Sequence, residues 1–364
     1  MHRLAVVGGG ILGLAHAYLA AKRGWRVTVF ERHPRATGAS VRNFGQIWPI
    51  GQPAEMREIA LRSRALWIQM LDDARLPYRP TGSLHVAYRP DELDVLREFV
   101  SLGNDCTLLS PAQAAKQSQA IETRGLLGAL WSDTELTVDP RRIIGEMPDV
   151  LRALGAQVQF GCPVLGIELP RIETSQGSFE VDAAIVCSGD DFETLYPEVF
   201  AASGLTRCKL QMMRTVPQPK GWELGPALAA GLTLRFYKAF RACTTLGPLR
   251  QRIASEQPEY DHWAIHTLVS QTADGAITLG DSHEYGPTPS IFDRPEIDAL
   301  ILDDVRRYLR LPTWELAERW HGVYAWHPEK PFIDHEPAPG VRIITGVGGS
   351  GMTLSFGLAE RTLA

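Results

Sequence analysis

The chain has 364 residues, more than a single hydrophobic core usually sustains, so two domains are expected, and with 45% hydrophobic residues it can fill both. Lys and Arg total 37 against 42 Asp and Glu, a formal charge of −5 without a long run of either sign, which argues against a nucleic-acid or membrane-surface footprint and leaves any anionic partner to be met locally. Five scattered cysteines without a C-x-x-C pair fit neither a disulfide framework nor a zinc site, so no metal site is expected and a reducing cytoplasm is.

The first predicted elements carry the strongest local signal. A short apolar strand, Leu4 to Val7, runs into Gly8-x-Gly10-x-x-Gly13 and then an Ala/Leu-rich helix, and a second strand from Arg26 to Phe30 ends in Glu31. In a dinucleotide site Gly8 makes the tight turn, Gly10 lets the backbone approach a pyrophosphate and Gly13 allows the helix to pack closely. The helix N-terminus offers free N–H groups to phosphates, and a terminal acid such as Glu31 accepts from ribose hydroxyls. A purely structural glycine turn is the alternative, and the strand, helix, strand and acid together favour the dinucleotide. Residues 4 to 21 are broken by glycines and polar positions, so neither a signal peptide nor a membrane span is expected.

Beyond Glu31 comes a loop rich in small residues. Glu31-Arg32, Gly38-Ala39-Ser40 and Asn43-x-Gly45-Gln46 resemble the FAD-contacting loop of the D-amino-acid oxidase-like (DAO) flavoenzymes, which include glycine oxidase, sarcosine oxidase and the D-amino-acid dehydrogenases. The resemblance implies an α/β fold in which a Rossmann-type FAD-binding domain interleaves with an antiparallel-sheet α+β substrate domain. It places the FAD domain at 1–75, 139–200 and 318–364, and the substrate domain at 76–138 and 201–317. It also places Val164 near the adenine and Ser188-Gly189 near the pyrophosphate. The closing glycine turn, Gly348-Gly349-Ser350-Gly351-Met352-Thr353, would complete the FAD cradle from the far side. The resemblance also implies a non-covalent flavin, because the sarcosine oxidases that attach theirs use a cysteine in the segment equivalent to "GVYAWHP", which has none.

Between these ends, Val138-Asp139-Pro140 opens a helix, followed by alternating strands through "PVLGIEL" and "GSFEVDAAIVCSGD". Strands are expected in "GSLHVAY", "CKLQMMRTV", "LTLRFYKAF", "HWAIHTLVSQ" and "AITLGDSHEYG", an amphipathic helix in "EIDALILDDVRRYL", and surface loops in "VPQPKGWELGP" and "HEYGPTPSIFDRP". On a strand, Arg235 and Tyr237 of "LTLRFYKAF" would share one face and project a cation and a phenol toward a site.

The substrate end departs from the amino-acid oxidases of that family, because Tyr324 stands near the place of their carboxylate-binding arginine, and a phenol cannot imitate a bidentate guanidinium. "KLQMMRT", "GLTLRFYKAF", "GDSHEYG", "WHGVYA" and "GGSGMTLSFGLAE" resemble a branch associated with bacterial phosphonate breakdown. That resemblance implies a small anionic amine as partner, N-methyl-2-aminoethylphosphonate, oxidised at its C–N carbon with molecular oxygen as acceptor. Arg42 and Arg235 are the expected anion anchors, ahead of Lys209, Lys238 and Arg241. Tyr237, His266 and Tyr324 are the expected catalytic and substrate-binding side chains, with His266 shaping the pocket or desolvating the amine. His283 and Lys330 are further candidates. A D-amino-acid or sarcosine-type oxidoreductase and a flavin-binding protein without turnover are the alternatives, and oligomeric state is not legible.

Overall fold

The computed structural model describes residues 2–364 and builds them around two large sheets. The first has six strands in the order Ile333–Ala338, Val341–Thr345, Ala183–Val186, Arg3–Val7, Arg26–Glu31 and Gln157–Phe160. All of its pairings are parallel except the edge hairpin Ile333–Ala338 with Val341–Thr345. Arg3–Val7 is buried on both sides along most of its length, as parallel strands between helices are. The helix Ile11–Lys22 is apolar nearly all round and is almost wholly buried between that sheet and the C-terminal helix Gly351–Thr362.

The C-terminal helix is held from the other side by the 21-residue helix Ala54–Ala74. The two cross closely at Gly357, where an added Cβ would stand 2.3 Å from the Ile59 carbonyl oxygen. Trp67 Nε1 donates to the Met352 carbonyl at 2.8 Å, and Arg62 grips Glu360 with two hydrogen bonds. The Trp67 contact fixes the start of the last helix, next to the glycine turn, and the other two hold its middle and end against Ala54–Ala74.

The second sheet has nine strands and is mostly antiparallel. Its longest ladder pairs Thr206–Thr215 with Leu316–Trp326 and sets Cys208 opposite Tyr324. The expected boundary at 318 would cut that last strand, which lies in the nine-stranded sheet by pairing. Its buried side chains form one core with those of Ser83–Ala87, Gly128–Ser132 and Leu268–Gln271, while two further clusters serve the six-stranded sheet. The fold is therefore a Rossmann-type α/β unit interleaved with an antiparallel α+β unit.

Most of the expected elements appear: Pro140–Ala153 is a helix whose N-terminus is capped by the Asp139 carboxylate, and Pro295–Tyr308 is the amphipathic helix. Two differ. "LTLRFYKAF" is not a strand but a short helix, Gly231–Phe236, followed by the 3-10 turn Lys238–Ala242. The alternation of Leu232 and Leu234 with Thr233 mimics a strand, yet Thr233 is buried too and donates its hydroxyl to Thr267 O, so no face looks to solvent. Close packing demands the turn at its start, since a Cβ on Gly231 would meet Glu92 Oε1 at 2.1 Å. In "HWAIHTLVSQ" only Leu268–Gln271 is strand, because Ala264 turns the chain in the left-handed region at φ 44°.

Candidate active site

A cavity of about 700 Å³ runs from the glycine turn after Arg3–Val7 to the nine-stranded sheet. At one end Gly8 and Gly10 lie beside the start of Ile11–Lys22, where Ser40 Oγ accepts the Ile11 N–H at 2.9 Å and marks the free helix terminus. Glu31 is buried; its Oε2 accepts the Gly9 N–H at 2.8 Å and its Oε1 accepts the His33 N–H at 2.9 Å. Arg32 reaches Asp191 at 2.7 Å across the cavity mouth. Val164, Ser188 and Gly189 form the wall behind.

Gly13 and Gly45 do not line the cavity. A Cβ on Gly13 would fall 2.0 Å from Gly8 O, and one on Gly45, at φ 69°, would fall 1.9 Å from Val138 O. They act by letting backbone approach backbone. Asn43 works on the loop itself, donating to Ala39 O and Ser40 O and accepting from Gly45 N–H. Its neighbour Gln46 reaches the lining.

The far side of the cavity is closed by residues 348–353, with Thr353 Oγ1 accepting the Trp48 N–H at 2.9 Å. Tyr324 is buried against this turn, its hydroxyl 3.7 Å from where a Cβ on Gly349 would stand. The donor set fits an extended dinucleotide: a helix N-terminus with a hydroxyl beside it for phosphate, a buried carboxylate for ribose and a second helix start at the opposite end.

The remaining wall is aromatic. Trp48 stacks on Tyr237 at 6.2 Å between centroids, Phe236 stacks on His266 at 3.8 Å, and Tyr285 packs on Trp326 at 4.3 Å. Burial raises the phenols of Tyr237, Tyr285 and Tyr324 above their ordinary range, so they stay protonated donors. His266, Asp281 and His283 converge in this wall, with His266 Nε2 3.2 Å from Asp281 Oδ1 and His283 Nε2 3.9 Å from Asp281 Oδ2. Burial holds His266 well below the usual imidazole range, takes His283 down to about 3 and lifts Asp281 well above the carboxylate range.

The cations divide into two groups. Arg235 borders the cavity, but its guanidinium donates to the carbonyls of Leu232, Ile265 and Tyr260 at 3.0–3.1 Å and lies 3.4 Å from Asp261. Lys209 is fully buried beneath the sheet on Asp293 and Phe292 O and does not reach the cavity. Arg42, Lys238 and Arg241 line the cavity and make no ion pair among the described residues; Arg42 Nη1 donates only to His321 O, at 3.2 Å. Lys330 lies on the lining as well.

Asp281 was not singled out in the sequence, although an acid directly after the wholly buried strand Ile277–Gly280 was its available signal. Trp48 carried none, since a lone tryptophan in a loop reads as core.

The family model for DAO, FAD dependent oxidoreductase, matches residues 3–364. The chain belongs to the DAO family of FAD-dependent oxidoreductases, and FAD is its cofactor. Among curated relatives, human mitochondrial sarcosine dehydrogenase is 26% identical over 205 residues, covering 51% of this chain and 22% of that protein. Glycine oxidase of Bacillus licheniformis is 26% identical over 197 residues, 50% of this chain and 53% of the relative. The chain therefore spans between a fifth and about half the length of these relatives. The crystal structure of glycine oxidase from Geobacillus kaustophilus superposes with a TM-score of 0.78 at 19% identity, covering 100% of this chain and 95% of that one, a likeness of fold. No helix of the described residues is long and apolar enough to cross a membrane, and the five cysteines are all free.

Proposed function

We propose that this DAO-family chain oxidises the C–N carbon of a small anionic amine, N-methyl-2-aminoethylphosphonate, to phosphonoacetaldehyde and methylamine. The observation that carries the reading is the cavity's composition: an aromatic wall suited to a methylated amine, with Arg42, Lys238 and Arg241 left without ion pairs on the same lining. Burial and the neighbouring Arg241 lower Lys238, so an anion arriving there relieves an unfavourable cationic pair. The absence of a guanidinium at Tyr324 removes the bidentate clamp that an α-carboxylate would call for.

In this reading Gly8, Gly10, Glu31, Arg32, Ser40, Asn43, Gln46, Val164, Ser188, Gly189 and residues 348–353 hold FAD without a covalent bond, while Gly13 and Gly45 shape the backbone that carries them. When bound, FAD supplies the two-electron acceptor, and molecular oxygen regenerates it with formation of hydrogen peroxide. The protein residues orient the substrate: the cations take the phosphonate oxygens, Tyr237 and Tyr324 donate as neutral phenols, and the aromatic faces exclude water from the reacting carbon. Loss of hydride from carbon leaves an iminium, which one water converts to aldehyde and methylamine. The net reaction consumes one amine, one O₂ and one water and yields aldehyde, methylamine and H₂O₂.

Anaerobic mixing with a panel of amines, followed by loss of flavin absorbance, tests this. N-methyl-2-aminoethylphosphonate should bleach the flavin faster than D-alanine, glycine or sarcosine at equal concentration. If sarcosine or D-alanine is faster, the phosphonate reading fails and an amino-acid oxidoreductase replaces it; bleaching by none points to a flavin-binding protein without turnover.

A further inference from the structure

Asp281 is a buried acid in the wall of a cavity read as an amine site, and no Lys or Arg among the described residues lies within ion-pairing distance of it. Its Oδ1 has no hydrogen-bond partner, nor has either ring nitrogen of His266, which is 2% exposed. His283 Nδ1 meets the Ala264 carbonyl at 3.2 Å, and a carbonyl only accepts, so Nδ1 carries the proton and the bare Nε2 faces Asp281 Oδ2. A lone pair aimed at a carboxylate oxygen suits the protonated acid and not the anion. His266 Nε2, 3.2 Å from Oδ1 and without another partner, can carry an N–H toward the anion, so each form of Asp281 has one imidazole that suits it.

We propose that Asp281, braced by His266 and His283, receives the proton of the substrate's ammonium group. This rests on reading the cavity as the site of amine oxidation and adds a role for residues that reading leaves idle. An amine with an ordinary pKa near 10 enters as a cation, and a cation has no nitrogen lone pair to support loss of hydride from the adjacent carbon. In the step proposed, the ammonium N–H bond breaks, an O–H bond forms on Asp281, and the pair of electrons stays on nitrogen. The neutral amine could then lose hydride from the adjacent carbon, with bound FAD as the two-electron acceptor, and the nitrogen lone pair would become the second bond of the iminium. Product release returns the proton from Asp281 to solvent.

The surroundings of Asp281 favour this exchange. Besides the two imidazoles, the titratable groups its charge acts on are Tyr237 after the helix Gly231–Phe236, Tyr285 and Cys208 on paired strands, and Tyr324 on Leu316–Trp326. Arg235 is the guanidinium whose charge acts on the imidazoles, and it is committed to three carbonyls and Asp261. Burial raises Asp281 well above the ordinary carboxylate range, which brings it closer to the amine it must deprotonate.

The test compares wild type with Asp281→Asn on whichever amine bleaches the flavin fastest, so it stands even if the phosphonate does not. Flavin reduction is followed anaerobically from pH 8 to 10. Wild type should give a nearly flat kcat/KM. Asp281→Asn, able to use only the neutral amine, should lose about a hundredfold or more at pH 8 and recover about tenfold per pH unit toward the amine pKa. Binding gives the same signature without turnover: on dithionite-reduced holoenzyme the Kd of wild type should not follow the neutral-amine fraction, whereas that of the variant should. A variant profile as flat as wild type overturns the proposal, as does a loss equal at every pH. If the variant does not fold, a wild-type Kd that tightens tenfold per pH unit overturns it alone. Stoichiometric Zn²⁺ binding abolished by Asp281→Asn, with amine kinetics unchanged, assigns the cluster to a metal and also overturns it.

Discussion

Glu31 Oε2 accepts the Gly9 N–H at 2.8 Å, so the acid that ends the second strand is tied to the glycine turn that ends the first. The carboxylate accepts from His33 as well, which leaves both oxygens with lone pairs still to offer a ribose. Replacing it with Gln turns one of two acceptors into a donor that faces another donor. A hydrogen bond to a charged group is worth about 1.5–3 kcal/mol, so Glu31→Gln should weaken FAD retention about 10- to 150-fold. Flavin fluorescence released on dilution measures this, and full retention would remove Glu31 from the ribose site.

Lys238→Met and Arg241→Met should each lower kcat/KM for the phosphonate amine by at least about tenfold, on the same arithmetic, and leave an uncharged secondary amine little affected. Arg42→Met should behave likewise. Equal losses on charged and uncharged amines would show that these side chains shape the cavity and do not hold the anion.

Arg235 makes the contrasting prediction. It satisfies three buried carbonyls, and an orphaned buried acceptor costs about 1–3 kcal/mol, so Arg235→Met should lower the urea-unfolding free energy by at least about 1 kcal/mol. An unchanged unfolding curve with a tenfold loss of kcat/KM would restore Arg235 as an anion anchor.

His85 lies wholly buried between Trp48 and Phe240, with neither ring nitrogen partnered, and burial takes it down to about 3. The unfolded chain binds a proton there as pH falls through about 6.5, while the native protein does not until about 3, so stability must fall across that window as pH drops. Each pH unit within it costs about 1.4 kcal/mol. His85→Leu should flatten the decline of unfolding free energy between pH 6 and 4; an unaltered slope would mean that His85 is charged in the native state or does not titrate there.

A heated or acid-precipitated sample should release all of its flavin to the supernatant, and the released flavin should yield AMP on pyrophosphate cleavage. Colour remaining in the pellet would indicate a covalent bond that no cysteine in residues 322–328 can supply.

Local pattern in the sequence was enough to find two glycine turns, each running into a helix, that the fold sets at opposite ends of one cavity. Gly8, Gly10, Glu31 and the turn at 348–353 were legible because each lies in a local pattern, a strand followed by glycines and a helix, whose spacing carries its own physical reason. Gly13 and Gly45 were legible as glycines, but only the backbone crossings at Gly8 O and Val138 O show why no side chain fits there. The polar groups at the other end of the cavity depend on tertiary contacts. Whether a cation is free depends on which carbonyls and acids approach it from distant segments: Arg235 is claimed by Tyr260, Asp261 and Ile265, while Lys238 and Arg241, a few residues on, are not. Asp281 gathers His266 and His283 because the chain turns at Ala264 and the strand Leu268–Gln271 then returns antiparallel along Ile277–Gly280. Burial, which sets the protonation of all three, belongs to the packing of both sheets and to no window of the chain.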